Sequence, residues 1–275
     1  MRVVLGIDVG GSTTKIVGYS DEGRRLGMMQ VEAADRLTSA YGAFGKFISA
    51  HGLHMSDVTQ IVLTGVGAAH LASGMYDIPT RRVDEFIANG LGGLALASLD
   101  EAIVVSMGTG TFIVKASGGK ITHLGGSGVG GGTLMNLCSR FAGANGIDSI
   151  ASLAAQGDLS KVDLTIGDIS QELIGSMPPS TTVSNFGNFS DSANGADIVL
   201  GLINMMFEII GMMAIFAARN DPVKDIVLTG SLTVIPQAAR VFEILQSLHP
   251  VRFHTPDGAI YATAVGAALS VANGK

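Results

Sequence analysis

Apolar residues gather into short continuous runs that end on acids, glycines and hydroxyls, and into longer stretches where they recur every three to four positions. Residues 3–8 form a buried-strand run ending at Asp8. A second run starts at Lys15, after Gly10, Gly11, Ser12, Thr13 and Thr14, so the pattern predicts a strand, tight turn, strand hairpin. Asp21, Glu22 and Gly23 mark the next turn, and residues 26–31 return as a third strand. Leu37, Tyr41, Phe44 and Ile48 recur at helical spacing across 36–50. A strand over 60–65, a short helix from Ala68, an extended stretch over 81–83 and a small-residue helix over 85–99 complete the first half.

Residues 102–115 repeat the opening design, with a third strand ending near Leu124 and a glycine loop feeding a helix over 133–141. Helices near 147–155 and 168–175 follow, then a looser Pro178-Pro179-Ser180-Thr181-Thr182 stretch. A long Met-rich helix over 198–218, a buried strand over 225–230, a helix over 236–248, a strand around 251–253 and a closing helix end the chain. Two similar hairpins about a hundred residues apart imply an internal duplication. The expected class is α/β, with duplicated mixed-sheet domains around a cleft: a lobe over 1–100 and a lobe over 101–275 sharing one tight hinge.

Composition narrows the function. The chain has 275 residues, and 47% hydrophobic against 15% charged residues means that much surface is buried between lobes or between subunits. A net charge of −6, no basic run interleaved with aromatics and no Trp argue against a nucleic-acid binder. Cys138 is the single cysteine, which excludes an intrachain disulfide and a cysteine-based metal cluster. Arg2 and a short strand-like run lack the pattern of a signal peptide, so the expected compartment is the cytoplasm. Asn204 and Glu208 interrupt the apolar 198–218 stretch, which favours a buried helix over a membrane span. Met205, Met206, Met212 and Met213 then fill the core, or form a subunit interface or a groove for a flexible acyl chain.

The turns carry the candidate chemistry. Gly10 and Gly11 leave backbone N–H groups free to close around an anion, Ser12, Thr13 and Thr14 add hydroxyl donors, and Lys15 adds a point charge. Asp8 stands where a carboxylate holds hydrated Mg²⁺ beside phosphates. An ordinary hairpin would carry the same glycine pair. Gly108, Thr109, Gly110 and Thr111 repeat the turn. Gly126, Gly128 and Gly131 satisfy the G-x-G-x-x-G spacing, with Asp148 at a ribose-binding offset, but they follow a hairpin mid-chain rather than opening a strand, helix, strand unit. The better reading makes Gly128, Gly130, Gly131 and Gly132 a helix N-terminus open to a γ-phosphate; close packing of loop on sheet is the structural alternative. His51 and His54 share a helical offset without a third ligand and read as surface residues.

Asp8-Val9-Gly10-Gly11-Ser12, Gly108-Thr109-Gly110-Thr111 and Leu228-Thr229-Gly230-Ser231 together resemble the two phosphate loops and the adenosine loop of the actin, heat-shock ATPase and sugar kinase superfamily. Val83-Asp84-Glu85-Phe86, the glycines of 125–132, Asn185-Phe186-Gly187, Gly258-Ala259 and Val265-Gly266-Ala267-Ala268 extend the resemblance to type II pantothenate kinases, in order and over nearly the whole chain. The resemblance implies an actin-like ATPase fold, ATP and Mg²⁺ as cofactors, pantothenate as substrate, acyl-CoA as an inhibitor and a homodimer. It makes Glu85 the general base, puts Gly230 and Ser231 beside adenosine, and puts Ser106, Thr109 and His123 at the acceptor. His123 occupies the place of a family arginine. The rivals are a non-catalytic acyl-CoA or nucleotide sensor, a kinase for another small hydroxylated acceptor such as a sugar, and an ATPase activator of an acyl-CoA dehydratase. The last needs paired cysteines that Cys138 alone does not supply.

Overall fold

The computed structural model describes residues 2–11, 13–32, 35–71, 74–170 and 177–271. The first part of the chain runs β1 (Val3–Val9), β2 (Thr13–Ser20), β3 (Arg25–Glu32), α1 (Arg36–Ala50), β4 (Val58–Thr64), β5 (Thr80–Arg82) and α2 (Glu85–Ala97). The second opens with β6 (Glu101–Met107), β7 (Thr111–Ser117), β8 (Lys120–Ser127), α3 (Gly131–Ala142) and α4 (Ile147–Ala154). A small ribbon follows: β9 (Leu164–Thr165), the single turn α5 (Ile166–Ile169) and β10 (Thr182–Ser184). The chain ends through α6 (Gly195–Ala218), β11 (Asp225–Thr229), α7 (Gln237–Leu248), β12 (Arg252–His254) and α8 (Ala262–Leu269).

The two sheets are the same object built twice. The first has the order β3-β2-β1-β4-β5 and the second, read from its other edge, β8-β7-β6-β11-β12. In each, an antiparallel three-strand meander is extended by two parallel strands. The expected duplication is therefore present, and β1 corresponds to β6 and β4 to β11.

Strand alternation sorts side chains into layers. Val3, Leu5, Ile7 and Val9 bury against α1 through Phe44 and Phe47, while Val17 and Val62 face the opposite way, toward α8 and α2. In the second sheet Ile103, Val105 and Met107 face α3, α6 and α7, and Ala102 and Val104 face α2. Between the sheets lie α2 and α8. They cross at backbone contact: a Cβ at Gly92 would overlap the Ala262 carbonyl, and one at Gly266 the Ala88 carbonyl. Small residues at these positions let one helix pair serve both lobes.

Helix starts follow their caps. Asp84 Oδ1 accepts from the N–H of Phe86 at 2.9 Å and of Ile87 at 3.2 Å, fixing the first turn of α2. Asn194 and Asp197 form a capping box, which starts α6 at Gly195, three residues before the expected 198. That helix is apolar and long enough for a membrane span, yet Val199, Ile203, Phe207, Ile210 and Ala214 are fully buried in the second lobe. The helix expected over 168–175 is absent as far as Ser170, where only the α5 turn forms; residues 171–176 lie outside the described residues. β8 continues past Leu124 to Ser127 by skipping Leu124 in its pairing with β7.

Candidate active site

The first turn is closed by the Gly10 N–H donating to the Thr13 carbonyl at 3.0 Å. A Cβ at Gly10 would stand 2.8 Å from that oxygen, so the turn needs glycine there. Ser12 lies outside the described residues. Behind the turn, Lys15 on β2, Asp8 on β1 and Thr64 on β4 are cross-strand neighbours in one row, on the sheet face that looks toward α2 and α8. Asp8 is nearly buried; burial pushes its pKa up, and the Lys15 ammonium opposes the rise. Gly65, with φ +84°, leaves no room for a Cβ between its own backbone and Asp8 Oδ1.

The second turn is tied to the glycine loop. Gly108 donates to the Gly110 carbonyl at 2.9 Å, Gly131 to the Gly108 carbonyl at 2.7 Å, and Gly132 to the Thr109 carbonyl at 2.9 Å. Two of the N–H groups expected to be free at the start of α3 are thus consumed inside the protein, and the close-packing role holds at Gly131 and Gly132. Gly130 lies against the backbone of Thr109 and Gly110, while Gly128 is open. Gly230, φ +92°, backs onto the Met107 backbone, and Ser231 begins a 3₁₀ turn whose Leu232 lies beside Gly131. The segments 108–111, 128–132 and 230–232 therefore meet at one end of the second sheet.

Glu85 is the first residue of α2. Burial, followed by the charges of Asp8 and Asp84 and opposed by Lys15, pushes its carboxyl up to about 6. The charges of Asp8 and Lys15, behind the first turn, thus act on Glu85. Asp84, the acid beside it, spends its carboxylate on the helix cap. Ser106 lies on the α2-facing side of β6 and is buried; Thr109 is exposed at the turn tip. His123, exposed on β8, stacks on Phe86. Among the described residues no group of three His, Cys, Asp or Glu side chains is arranged to hold a metal.

Three residues of the site are given no role by the sequence. Asn89, one turn after Glu85 and fully buried, lies 3.1 Å from Thr229 Oγ1 and 3.2 Å from Thr263 Oγ1, joining α2 to β11 and α8. Phe86 carries the His123 ring. Thr64 stands beside Asp8, and the repeat of Leu63-Thr64-Gly65 in Leu228-Thr229-Gly230 is the one signal that could have found it.

The fold is shared with proteins of known structure. The activator of 2-hydroxyisocaproyl-CoA dehydratase from Clostridium difficile, with bound ADPNP, superposes with a TM-score of 0.70 at 15% identity, over 98% of this chain and 94% of that one. The ROK hexokinase from Thermus thermophilus gives 0.56 at 13% identity, over 99% and 100%. The chain thus has the actin-like ATPase and sugar kinase fold. Its sequence goes further: the Fumble family model matches residues 101–245, and the chain belongs to that family. It is 28% identical to a type II pantothenate kinase of Staphylococcus haemolyticus over 236 residues, 82% of this chain and 84% of that protein. It is 27% identical to one of Bacillus cereus over 297 aligned positions covering both chains fully.

Proposed function

We propose that this protein is a kinase that transfers the γ-phosphoryl group of ATP to the primary hydroxyl of pantothenate, forming 4′-phosphopantothenate, the first step toward coenzyme A. The observation that carries it is that Asp8 and Lys15, paired behind the first glycine turn, act on Glu85 through their charges, in a chain similar over its full length to type II pantothenate kinases. The C. difficile neighbour's ADPNP supports nucleotide use by this fold. A boundary near residues 100 and 101, with α8 returning to the first sheet, separates the lobes of the cleft.

The residues fit a nucleotide with its cation. Thr64 Oγ1 and Thr111 Oγ1, each beside one turn, are buried hydroxyls without a hydrogen-bond partner among the described residues. Asp8 would hold Mg²⁺, which neutralises charge on the phosphates. Gly11, Ser12, Thr13, Lys15 and the 108–111 turn would receive phosphate oxygens, while Gly10, whose N–H is spent on the Thr13 carbonyl, shapes the first turn instead of donating to phosphate. Gly128 and Gly130 shape the loop that Gly131 and Gly132 lock in place, and Gly230 and Ser231 border adenosine. Glu85 takes the proton of the acceptor hydroxyl, and a carboxyl titrating near 6 is mostly ionised at pH 7.5 and still basic enough to accept it. Ser106, Thr109 and His123 orient the acceptor.

A kinase for another small hydroxylated acceptor is the second reading, favoured by His123 in the arginine's place. The dehydratase-activator reading is weakened by Cys138, which is buried in α3 with its thiol pushed up to about 11 by burial. The protein is read as a cytoplasmic homodimer. ATP turnover against pantothenate, pantetheine and common sugars tests the proposal. Turnover restricted to pantothenate supports it; turnover with a sugar alone favours the second reading, and ATP binding without any acceptor turnover favours a sensor.

A further inference from the structure

The duplication allows a comparison that no single lobe offers. Thr64 ends β4 as Thr229 ends β11, each followed by a glycine with positive φ, Gly65 at +84° and Gly230 at +92°. Each threonine faces the last inward residue of the central strand, Thr64 beside Asp8 and Thr229 beside Ser106. Their hydroxyls differ. Thr229 Oγ1 is within 3.1 Å of the Val105 carbonyl and 3.1 Å of Asn89 Nδ2, so it is fully used in holding the lobes. Thr64 Oγ1 is equally buried and has no partner among the described residues.

A buried, unbonded hydroxyl costs stability, and valine would fill the same volume without that cost. Its register partner on β1 is Asp8, whose Oδ1 leans over Gly65, the residue following Thr64. A change of rotamer at either side chain, both on one sheet face in adjacent strands, brings hydroxyl and carboxylate together.

We propose that Thr64 is a positioning residue for Asp8: its hydroxyl donates to one carboxylate oxygen when Asp8 turns to the cation of a metal–nucleotide complex, leaving the other oxygen for the metal. The inference rests on the kinase reading above. Carboxylate ligands are held in this way by outer hydrogen-bond donors, whose loss typically weakens metal affinity roughly 10- to 100-fold.

The test compares Thr64→Val, Thr64→Ser and, as the counterpart, Thr229→Val in the full chain. Binding of Mn²⁺ with a non-hydrolysable ATP analogue is followed by electron paramagnetic resonance, and binding of the analogue without metal by calorimetry. Thr64→Val is expected to weaken Mn²⁺ about tenfold, to leave metal-free analogue binding within twofold, and to melt at or above the wild-type temperature; Thr64→Ser restores Mn²⁺ affinity. Thr229→Val is expected to melt lower, because it removes bonds that exist. Unchanged Mn²⁺ affinity in Thr64→Val overturns the inference, as does equal weakening with and without metal. Wild-type protein that binds no metal–nucleotide overturns the kinase reading and this inference with it.

Discussion

His123 lies flat on Phe86, with ring centroids 4.3 Å apart and planes 14° from parallel, and Phe86 directly follows Glu85 in the first turn of α2. The stack puts an imidazole against the first turn of α2, which carries the proposed base. Ile121, two residues earlier on β8, packs under Gly90 and fixes the same strand edge to the helix. His123→Ala is expected to raise the KM for the acceptor roughly three- to tenfold, the worth of one hydrogen bond, while the KM for ATP stays unchanged. His123→Phe separates the roles in the same assay: it keeps the stack and loses the donor, so wild-type kinetics in that variant would show that only the ring matters.

Glu85→Gln should lower kcat by roughly 100-fold or more and leave ADP binding within a few-fold, because a positioned base contributes on that order. For the wild type, catalytic efficiency should climb as pH rises through about 6, where Glu85 loses its proton. A stopped assay across pH 5 to 8 reads both effects. A flat profile, or full turnover in Glu85→Gln, removes Glu85 from the role; Asp84 is then a poor substitute, since its carboxylate caps α2.

The raised Glu85 pKa also predicts a stability effect of definite sign. Between the ordinary carboxylate value of about 4.3 and the folded value of about 6, the native state binds the extra proton, so stability is greatest at low pH and falls as pH rises through about 6. At pH 8 the ionised form costs the fold at most about 2 kcal/mol, which Glu85→Gln relieves. Thermal melting of the ligand-free protein should therefore give a higher midpoint for Glu85→Gln at pH 8 and a smaller difference at pH 5. Equal midpoints at both would mean that the carboxylate is not strained in the folded state.

Local features of the chain are legible in the amino-acid sequence alone. Continuous apolar runs and glycine turns locate both hairpins, and their repetition locates the duplication, because buried strands and turn chemistry depend on neighbouring residues. Sequence does not separate Asp84 from Glu85; the bonds from the Phe86 and Ile87 amides to the Asp84 carboxylate do. The free N–H groups expected at Gly131 and Gly132 are absent for a non-local reason: the 108–110 turn, some twenty residues earlier, supplies their acceptors. Asn89 is invisible to sequence reading for the same cause, since its partners Thr229 and Thr263 are 140 and 174 residues away.

The outer stripe of α6 predicts the assembly. Ile209 and Phe216 are exposed on α6, at 37% and 60%, and the half-buried Met205, Met212 and Met213, which also pack on the core, flank them at three- and four-residue spacing. Leu124, left unpaired on β8, meets Met213, Phe216 and Ala217 around a hollow of about 260 Å³. One apolar stripe along a helix suits a two-fold contact with its own copy, since each subunit then offers the same surface. Sedimentation at micromolar concentration should show a dimer for the wild type and a monomer for Phe216→Glu. The melting temperature of the variant's subunit should barely change, because the residue is exposed. A wild-type monomer would remove the dimer, and a dimer that survives Phe216→Glu would move its interface away from this helix.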